Sequence, residues 1–195
     1  MQELSSPPKI CLSVAGVLIY QEKALLIKHK KLGFWLFPGG HLEEDELPHV
    51  AAEREFWEET GLKVRAVGSV PGWNLLQTGK ESGHYHLPRP INANLHWVSK
   101  ENYEQRLKSR KPQERVTNQK WPRGCEMHMV EIFLMELDEQ KNELLPGKWP
   151  KFKQNFEETD GIAWFRYDEI DQIETPPAIK QEIRKAFDAS RSNRV

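Results

Sequence analysis

The sequence predicts an α/β fold in which a mixed sheet lies between helical layers. Apolar stretches of strand length recur along the chain, and segments with helical periodicity are interspersed among them. Strands and helices mixed in this way usually form a sheet covered by helices. With 195 residues, of which 10% are aromatic, the chain can bury the core of such a fold. We therefore expect a single domain over residues 1–195.

The predicted strands are apolar or alternating stretches bounded by turn residues. They cover residues 10–20, 24–27, 34–37, 63–70, 92–99, 127–137 and 162–167. The first two are separated by three residues, a spacing that suits a hairpin. Helices are expected at residues 48–60 and 178–188, the second because its apolar residues fall on one stripe.

The composition favours a cytoplasmic protein. A net charge of -1 gives no electrostatic case for nucleic acid or membrane as the main partner. Cys11 and Cys125 lack the spacing of a metal or redox motif, so they are predicted to be free thiols of a reducing compartment. The uncharged stretch 11–20 is too short to cross a bilayer and has no basic leader or cleavage site.

Glutamates cluster in the helix predicted at residues 48–60. Glu55, Glu58 and Glu59 stand at i, i+3 and i+4, so their carboxylates converge on one face. Three carboxylates so close together repel each other unless a cation lies among them. Hard oxygen ligands of this kind suit Mg²⁺ or Mn²⁺, which bind carboxylates together with phosphate oxygens and water.

The alternative interpretation is a solvated helix face, with Arg54 paired to Glu58 one turn on. The surrounding residues favour a site instead. Residues 36–40, Leu-Phe-Pro-Gly-Gly, form an apolar strand end whose glycines let the backbone approach a bound group closely. Pro48 suits the first position of a helix, and Gly61 suits the left-handed residue that ends one.

Residues 40–62 resemble the signature of the Nudix hydrolases, a family that cleaves nucleoside diphosphates linked to another moiety. They read Gly40, five residues, Glu46, seven residues, then Arg-Glu-Phe-Trp-Glu-Glu-Thr-Gly-Leu, so every fixed polar and glycine position is present. The sequence departs from the family pattern at Phe56, where an aliphatic residue is usual, and at Leu47, where Ser or Thr often caps the helix. The missing cap should cost the helix about 1 kcal/mol, which tertiary packing can offset.

The resemblance implies an α/β/α sandwich with a site for Mg²⁺, for which Mn²⁺ can substitute. The implied metal ligands are the main-chain carbonyl of Gly39 and the carboxylates of Glu55, Glu58 and Glu59. Glu55, Glu58 and Arg54 are the implied catalytic group, in which Arg54 orients a neighbouring glutamate. Gly40 and Glu46 support the loop, with Glu46 paired to Arg54. In the implied reaction the metal activates a water molecule that attacks phosphorus.

The residue that takes the proton from this water is left open among several acids. The candidates are Glu55 and Glu58 in the helix, Glu157, Glu158 and Asp160 beyond it, and Glu131 in the strand predicted at 127–137. The four acids outside the helix could instead supply an extra metal ligand. Related chains often carry such a group on a loop like the one that holds residues 157–160. The alternating pattern around Glu131 favours a solvent-facing acid there.

Residues 100–124 form a basic insertion with eight basic and three acidic residues, and a helix is expected at 101–111. Its basic side chains, among them Arg106, Lys108, Arg110, Lys111, Arg115 and Arg123, could collect substrate phosphates. Long loops often carry function. A solvated surface insertion that helps dimerisation or has no role is the more common case, and we favour it here.

Several aromatic and histidine side chains are weaker candidates. Trp73, Tyr85 and Trp97 could stack on a nucleobase. His84 and His86 have the spacing of a metal pair, but no third ligand is near in sequence. Packing or surface roles are more common for such residues, and neither they nor His128 are assigned to the site.

The favoured function is metal-dependent hydrolysis of a diphosphate bond in a nucleoside triphosphate, ADP-ribose or nucleotide-sugar. The alternative is a regulatory module that binds a nucleotide-sugar on the same fold without cleaving it. Three mutually repelling carboxylates argue against a pure binder, which has no use for them. The expected partner is a small nucleotide. The oligomeric state is left open, with a homodimer as one possibility because dimers are common among similar chains.

Overall fold

The computed structural model describes residues 6–68, 87–142 and 148–192. The chain forms two compact units. The larger consists of residues 14–92 and 131–195, and the smaller of residues 1–13 and 93–130. The single domain expected over 1–195 stays a prediction.

Within the described ranges the chain forms eight strands and three α-helices. The strands are β1 (Ile10–Tyr20), β2 (Lys23–His29), β3 (Trp35–Leu36), β4 (Gly39–His41), β5 (Val64–Ala66), β6 (Asn92–Trp97), β7 (Met127–Leu137) and β8 (Thr159–Arg166). The helices are α1 (Pro48–Thr60), α2 (Lys100–Lys108) and α3 (Pro177–Ser192), with a 3₁₀ turn at Tyr167–Glu169. None of these helices has the length and apolar character needed to cross a bilayer.

The sheet is mixed, as predicted. Its strand order is β3-β2-β1-β7-β5, while β4 pairs with β1 and β8 pairs with β2. Strand β2 is antiparallel to β1, β3 and β8. Strands β1 and β7 run in the same direction. At the start of both strands the carbonyl of Lys9 accepts a hydrogen bond from the amide of Met127, and further along both strands Gly16 lies against Met135. The predicted α/β class is therefore confirmed.

The β1–β2 hairpin turns at Gln21 and Glu22. Both have positive φ, 45° and 60°, and Tyr20 pairs with Lys23 across the turn. Two consecutive left-handed residues give the turn geometry that matches the twist of antiparallel strands. The predicted hairpin is thus present.

The bounds predicted for β1, α1 and β7 are the observed ones. Helix α2 ends at Lys108 and not at residue 111, because Ser109 is extended, with a ψ of 161°, and a proline follows at Pro112. Strand β8 begins at Thr159, earlier than predicted, because its pairing extends to His29 at the end of β2. Long-range pairing, which local sequence does not encode, decides this boundary.

Helix α1 begins without a side-chain cap. Leu47 makes no capping hydrogen bond, but Pro48 occupies the first position of the helix. At the other end Gly61 is left-handed, with a φ of 73°, and its amide donates to the carbonyl of Trp57. The stop signal therefore works as predicted, and packing holds the uncapped start.

The core of the larger unit accommodates the unusual Phe56 of α1. Phe56 is fully buried beside Phe133 and Met135 of β7. A Cβ atom at Gly16 would lie 2.9 Å from the ring of Phe56 and 2.8 Å from Met135. Gly16 thus leaves the space that an aromatic side chain requires at this position.

The smaller unit is built around a buried ion pair. Arg106 of α2 and Glu126 are both fully buried and form two hydrogen bonds, one of them from Nη2 at 2.9 Å. Arg106 also donates to the carbonyls of Pro7 and Pro112. The idea that Arg106 could collect substrate phosphates is therefore wrong, because its side chain lies in the interior and is satisfied there.

Cys11 and Cys125 form a disulfide, so the prediction of free thiols is wrong. Their Cα atoms lie 5.7 Å apart although 114 residues separate them in sequence. The two positions meet because the carbonyl of Lys9 accepts hydrogen bonds from the amides of Glu126 and Met127. Disulfides are rare in reducing compartments. The thiol argument for a cytoplasmic location therefore fails, and that location stays a prediction.

Candidate active site

The loop before α1 brings backbone unusually close to its neighbours. A Cβ atom at Gly39 would lie 2.2 Å from the carbonyl oxygen of Val14, and one at Gly40 would lie 2.4 Å from the carboxylate of Glu55. At Gly39 only glycine fits, because the nearest atoms are backbone, whereas a side chain at Gly40 would have to displace the Glu55 carboxylate. The amide of Gly39 donates to Glu59 Oε2 at 2.9 Å. The peptide of Gly39 is therefore held against the acidic face of the helix.

Arg54 lies at the centre of this face. Its Nε and Nη2 atoms donate to Glu46 at 2.9 and 2.8 Å. Its Nη1 atom donates to Glu55 at 2.9 Å and to Glu58 at 3.2 Å. Nη2 also donates to the carbonyl of His41. All three guanidinium nitrogens are engaged, so Arg54 joins the loop to the helix and holds three carboxylates in place.

The glutamates of α1 range from buried to open. Glu59 is 2% exposed, whereas the side chains of Glu55 and Glu58 are 14% and 41% exposed. Glu58 has the most exposed side chain of the three, so a water molecule or ligand can reach the helix there.

Burial and crowding raise the pKa of two of these carboxyls. Burial raises the pKa of Glu59 to about 9, with the charges of Glu55, Glu158 and Glu58 adding to the effect and the Gly39 amide opposing it. Burial also raises the pKa of Glu55, against the hydrogen bond from Arg54. Ionising these two carboxyls is therefore costly in so desolvated a place.

The Arg54 guanidinium, by contrast, lowers the pKa of Glu46. Glu46 is therefore a fully paired anion that supports the loop.

The chemistry of the candidate ligands suits a hard divalent cation. The carboxylates of Glu55, Glu58 and Glu59 supply oxygen atoms, and the amide of Gly39 brings the loop backbone against Glu59. A cation among them would favour the ionised carboxylates, against the burial and the neighbouring charges that raise the pKa values of Glu55 and Glu59. Magnesium and manganese accept such ligands together with water and phosphate oxygens.

Of the acids predicted beyond the helix, Glu158 lies within electrostatic reach of this cluster. Its charge is among the causes that raise the pKa of both Glu55 and Glu59. The segment before it is tied to α1, because the amide of Asn155 donates to the carbonyl of Glu59 at 3.3 Å.

The other three candidates are not among the charges that raise the pKa of Glu55 and Glu59. Glu157 and Asp160 are exposed, and Glu131 is half-buried on β7. Across residues 6–68, 87–142 and 148–192, no hydrogen bond or ion pair joins any of them to the glutamates of α1.

Sequence reasoning missed two contributors to this arrangement. His41 acts through its main-chain carbonyl, which carries no sequence signal. Asn155 organises the turn that carries Glu158. An Asn side chain often accepts a hydrogen bond from the backbone two residues on, which is the signal that its position just before Glu157 and Glu158 offered.

The aromatic and histidine candidates do not form a second site among the described residues. Trp97 packs edge-on against Tyr103, with ring centroids 5.3 Å apart, and His128 contacts His96. Trp73, His84, Tyr85 and His86 lie outside the described residues.

Comparison with known proteins supports the resemblance found in the sequence. The model of the NUDIX domain matches residues 12–188. A MutT-like protein from Streptomyces ambofaciens is 48% identical over 64 residues, which are 32% of this chain and 42% of that protein. A probable DHNTP pyrophosphohydrolase from Lactococcus lactis is 33% identical over 85 residues, 41% of this chain and 51% of that protein. The chain thus spans about half the length of these relatives.

Solved structures share the fold. A NUDIX-family hydrolase from Clostridium perfringens superposes with a TM-score of 0.61 at 22% identity, covering 91% of this chain and 95% of that one. The MutT protein of Methanosarcina mazei Go1 gives a TM-score of 0.57 at 16% identity, covering 96% and 99%. At these identities the likeness concerns the fold.

Proposed function

Because the chain belongs to the Nudix family, we propose that it is a divalent-metal-dependent hydrolase that cleaves a diphosphate bond by attack of water on phosphorus. The observation that carries this proposal is the set of glutamates on α1 organised by Arg54 and closed on one side by Gly39. A relative named a DHNTP pyrophosphohydrolase and others named RNA pyrophosphohydrolases support a phosphoric anhydride as the bond cleaved. The substrate we propose is accordingly a nucleoside diphosphate linked to another moiety.

Each residue has a role in this proposal. The carboxylates of Glu55, Glu58 and Glu59 and the carbonyl of Gly39 would hold Mg²⁺, with Mn²⁺ as a substitute. Bound there, the metal would neutralise the diphosphate and acidify a water ligand. Arg54 would fix the directions of Glu55 and Glu58, and Glu46 would fix Arg54. Gly40 would leave the space that the carboxylate of Glu55 occupies.

We assign the proton acceptor to Glu158 among the candidates left open by the sequence. Glu55 and Glu58 each have a carboxylate oxygen occupied by the Arg54 guanidinium, and in this proposal both also bind the metal. Glu158 makes no contact with Arg54 among the described residues, and it is exposed, so it can reach a water molecule. A base of this kind is worth about 10²- to 10⁴-fold in rate.

The test is hydrolysis of a panel of nucleoside triphosphates, oxidised triphosphates, ADP-ribose, nucleotide-sugars and dinucleoside polyphosphates, with product release followed in Mg²⁺, in Mn²⁺ and in EDTA. We expect turnover of at least one compound, its loss in EDTA, and at least about a 100-fold fall in kcat for Glu58→Gln. Glu104→Gln, an exposed glutamate of α2, is the control and should keep full activity.

Unchanged turnover in Glu58→Gln would sink the proposal. If no panel member were cleaved but one raised the melting temperature, the chain would instead be a binding module. The cytoplasmic location and the homodimer stay predictions, which cell fractionation and sedimentation measure.

A further inference from the structure

We propose that Asn155 is a positioning residue that orients the carboxylate of Glu158 for the hydrolytic step. This inference rests on the proposed function and on the role given there to Glu158. It is carried by the hydrogen bonds of the segment from Lys153 to Thr159.

The segment is anchored to the end of α1. The last carbonyls of a helix lack partners within the helix. Here the amide of Lys153 donates to the carbonyl of Thr60 at 2.7 Å, and the amide of Asn155 donates to that of Glu59 at 3.3 Å. A Cβ atom at Gly61 would lie 2.8 Å from the Cβ atom of Lys153, so the helix-ending glycine also permits this approach. Asn155 is thereby fixed relative to a proposed metal ligand.

Asn155 then builds a tight turn. Its Oδ1 atom accepts from the amide of Glu157 at 3.0 Å. Its carbonyl accepts from the amide of Thr159 at 2.9 Å, from the Thr159 hydroxyl at 2.8 Å and from the amide of Glu158 at 3.3 Å. The carbonyl of Glu158 accepts in turn from the amide of Lys30 at 2.9 Å. The backbone of Glu158 is therefore held on both sides.

The side-chain nitrogen of Asn155 contacts the carboxylate of Glu158. Asn155 Nδ2 donates to Glu158 Oε2 at 3.3 Å. Within the described residues this is the one side-chain hydrogen bond that Glu158 receives, and it leaves Oε1 available. A neutral amide orients the carboxylate of Glu158 without placing a positive charge beside it, whereas Glu55 and Glu58 each face the Arg54 guanidinium. That difference suits a group that must accept a proton.

The two roles of Asn155 can be separated by substitution. Asn155→Asp keeps an oxygen to accept from Glu157 and so keeps the turn, but it replaces the Nδ2 donor with a second carboxylate. We expect kcat to fall at least about tenfold with little change in KM. Calorimetric titration with Mn²⁺ alone should give a dissociation constant within about threefold of the wild type, because the ligands on α1 are untouched.

The decisive measurement is a double-mutant cycle with Glu158→Gln. If Asn155 acts through Glu158, Asn155→Asp should change kcat by less than about twofold once Glu158 is already Gln. If the two substitutions lower kcat by independent factors that multiply in the double variant, the proposal is overturned. An unchanged kcat in Asn155→Asp would also overturn it, and so would a loss of Mn²⁺ binding in that variant. If Asn155→Asp fails to fold, Asn155→Ser, whose hydroxyl can accept from Glu157, takes its place.

Two control variants separate the proposed role of Asn155 from a purely structural role and from the proposed hydrolase function. Asn142→Asp alters another asparagine that bonds to backbone, at Lys63, and should lower the melting temperature without changing kcat. Glu58→Gln tests the hydrolase itself. Full activity in Glu158→Gln together with loss in Glu58→Gln would overturn the role of Asn155 and leave the proposed function standing.

Discussion

Arg54 donates two parallel hydrogen bonds to Glu46, from Nε at 2.9 Å and from Nη2 at 2.8 Å, across the loop that precedes α1. The planar fork of arginine matches the two oxygens of a carboxylate, and this leaves Nη1 pointing at Glu55 and Glu58. The orientation of the proposed metal ligands therefore depends on a residue in the loop and not only on the helix.

The first prediction concerns this fork. Arg54→Lys keeps the charge but cannot make the paired bonds. We expect kcat to fall at least about tenfold, and the free energy of unfolding to fall by about 1.5–3 kcal/mol, the range for hydrogen bonds to charged groups. Arg65→Lys is the control, since Arg65 forms an exposed pair with Glu136 and such pairs are worth about 0–1 kcal/mol. Equal effects of the two substitutions, measured by denaturation and by rate, would contradict the prediction.

The second prediction concerns the space beside Glu55. Gly40→Ala places a methyl group where the Glu55 carboxylate lies, 2.4 Å from its carbon. We expect Glu55 to be displaced, with weaker Mn²⁺ binding by calorimetry and a loss of turnover. Gly68→Ala is the matched control, because no atom of residues 6–68, 87–142 or 148–192 lies within 4 Å of its added Cβ atom. Wild-type Mn²⁺ affinity in Gly40→Ala would show that this contact has no part in the site.

The third prediction concerns pH. Burial raises the pKa of Glu59 from 4.5 to about 9 in the metal-free folded protein. Between these values the folded state binds a proton that the unfolded state releases, so the contribution of Glu59 to stability is largest at low pH and is lost as pH rises toward 9. Glu59→Gln cannot titrate and should lose less stability over this range.

Denaturation in EDTA at several pH values measures this difference. Glu136→Gln, an exposed carboxylate on β7, should follow the wild-type curve. Parallel curves for the wild type and Glu59→Gln would refute the assignment of a raised pKa to Glu59.

The fourth prediction concerns the disulfide. The Cys11–Cys125 bond closes a loop of 114 residues, and loss of a native disulfide costs about 2–5 kcal/mol. Reductant should therefore lower the melting temperature of the wild type. The double variant Cys11→Ser with Cys125→Ser should start lower and not respond to reductant. Two titratable thiols in denatured, unreduced protein would disprove the bond.

Local sequence was sufficient for the acidic helix. A proline at its start, a glycine at its end and the spacing of three glutamates act within a few residues, and the observed helix, Pro48–Thr60, has the predicted bounds. The long strands β1 and β7 were equally clear, because their apolar stretches are long and their ends are well marked.

Features that depend on distant contacts were harder to predict. The start of β8 follows from its partner β2, the burial of Arg106 follows from Glu126, and the disulfide follows from the meeting of two segments more than 100 residues apart. The sequence analysis predicted free thiols and a solvated basic insertion. It could not predict the Cys11–Cys125 bond or the Arg106–Glu126 ion pair, because the spacing of residues in the sequence indicates neither.

The sequence by itself determined the α/β class, the acidic helix with its glycine loop, and the family, because these depend on residue types at short spacing. Only the tertiary structure gave grounds for proposing Glu158 among the acids beyond the helix. It did so through Asn155, whose bonds to the end of α1 and to the turn bring together parts of the chain that local sequence leaves unrelated. Local sequence does not encode hydrogen bonds between distant segments, so the proposed role of Glu158 depends on the tertiary structure.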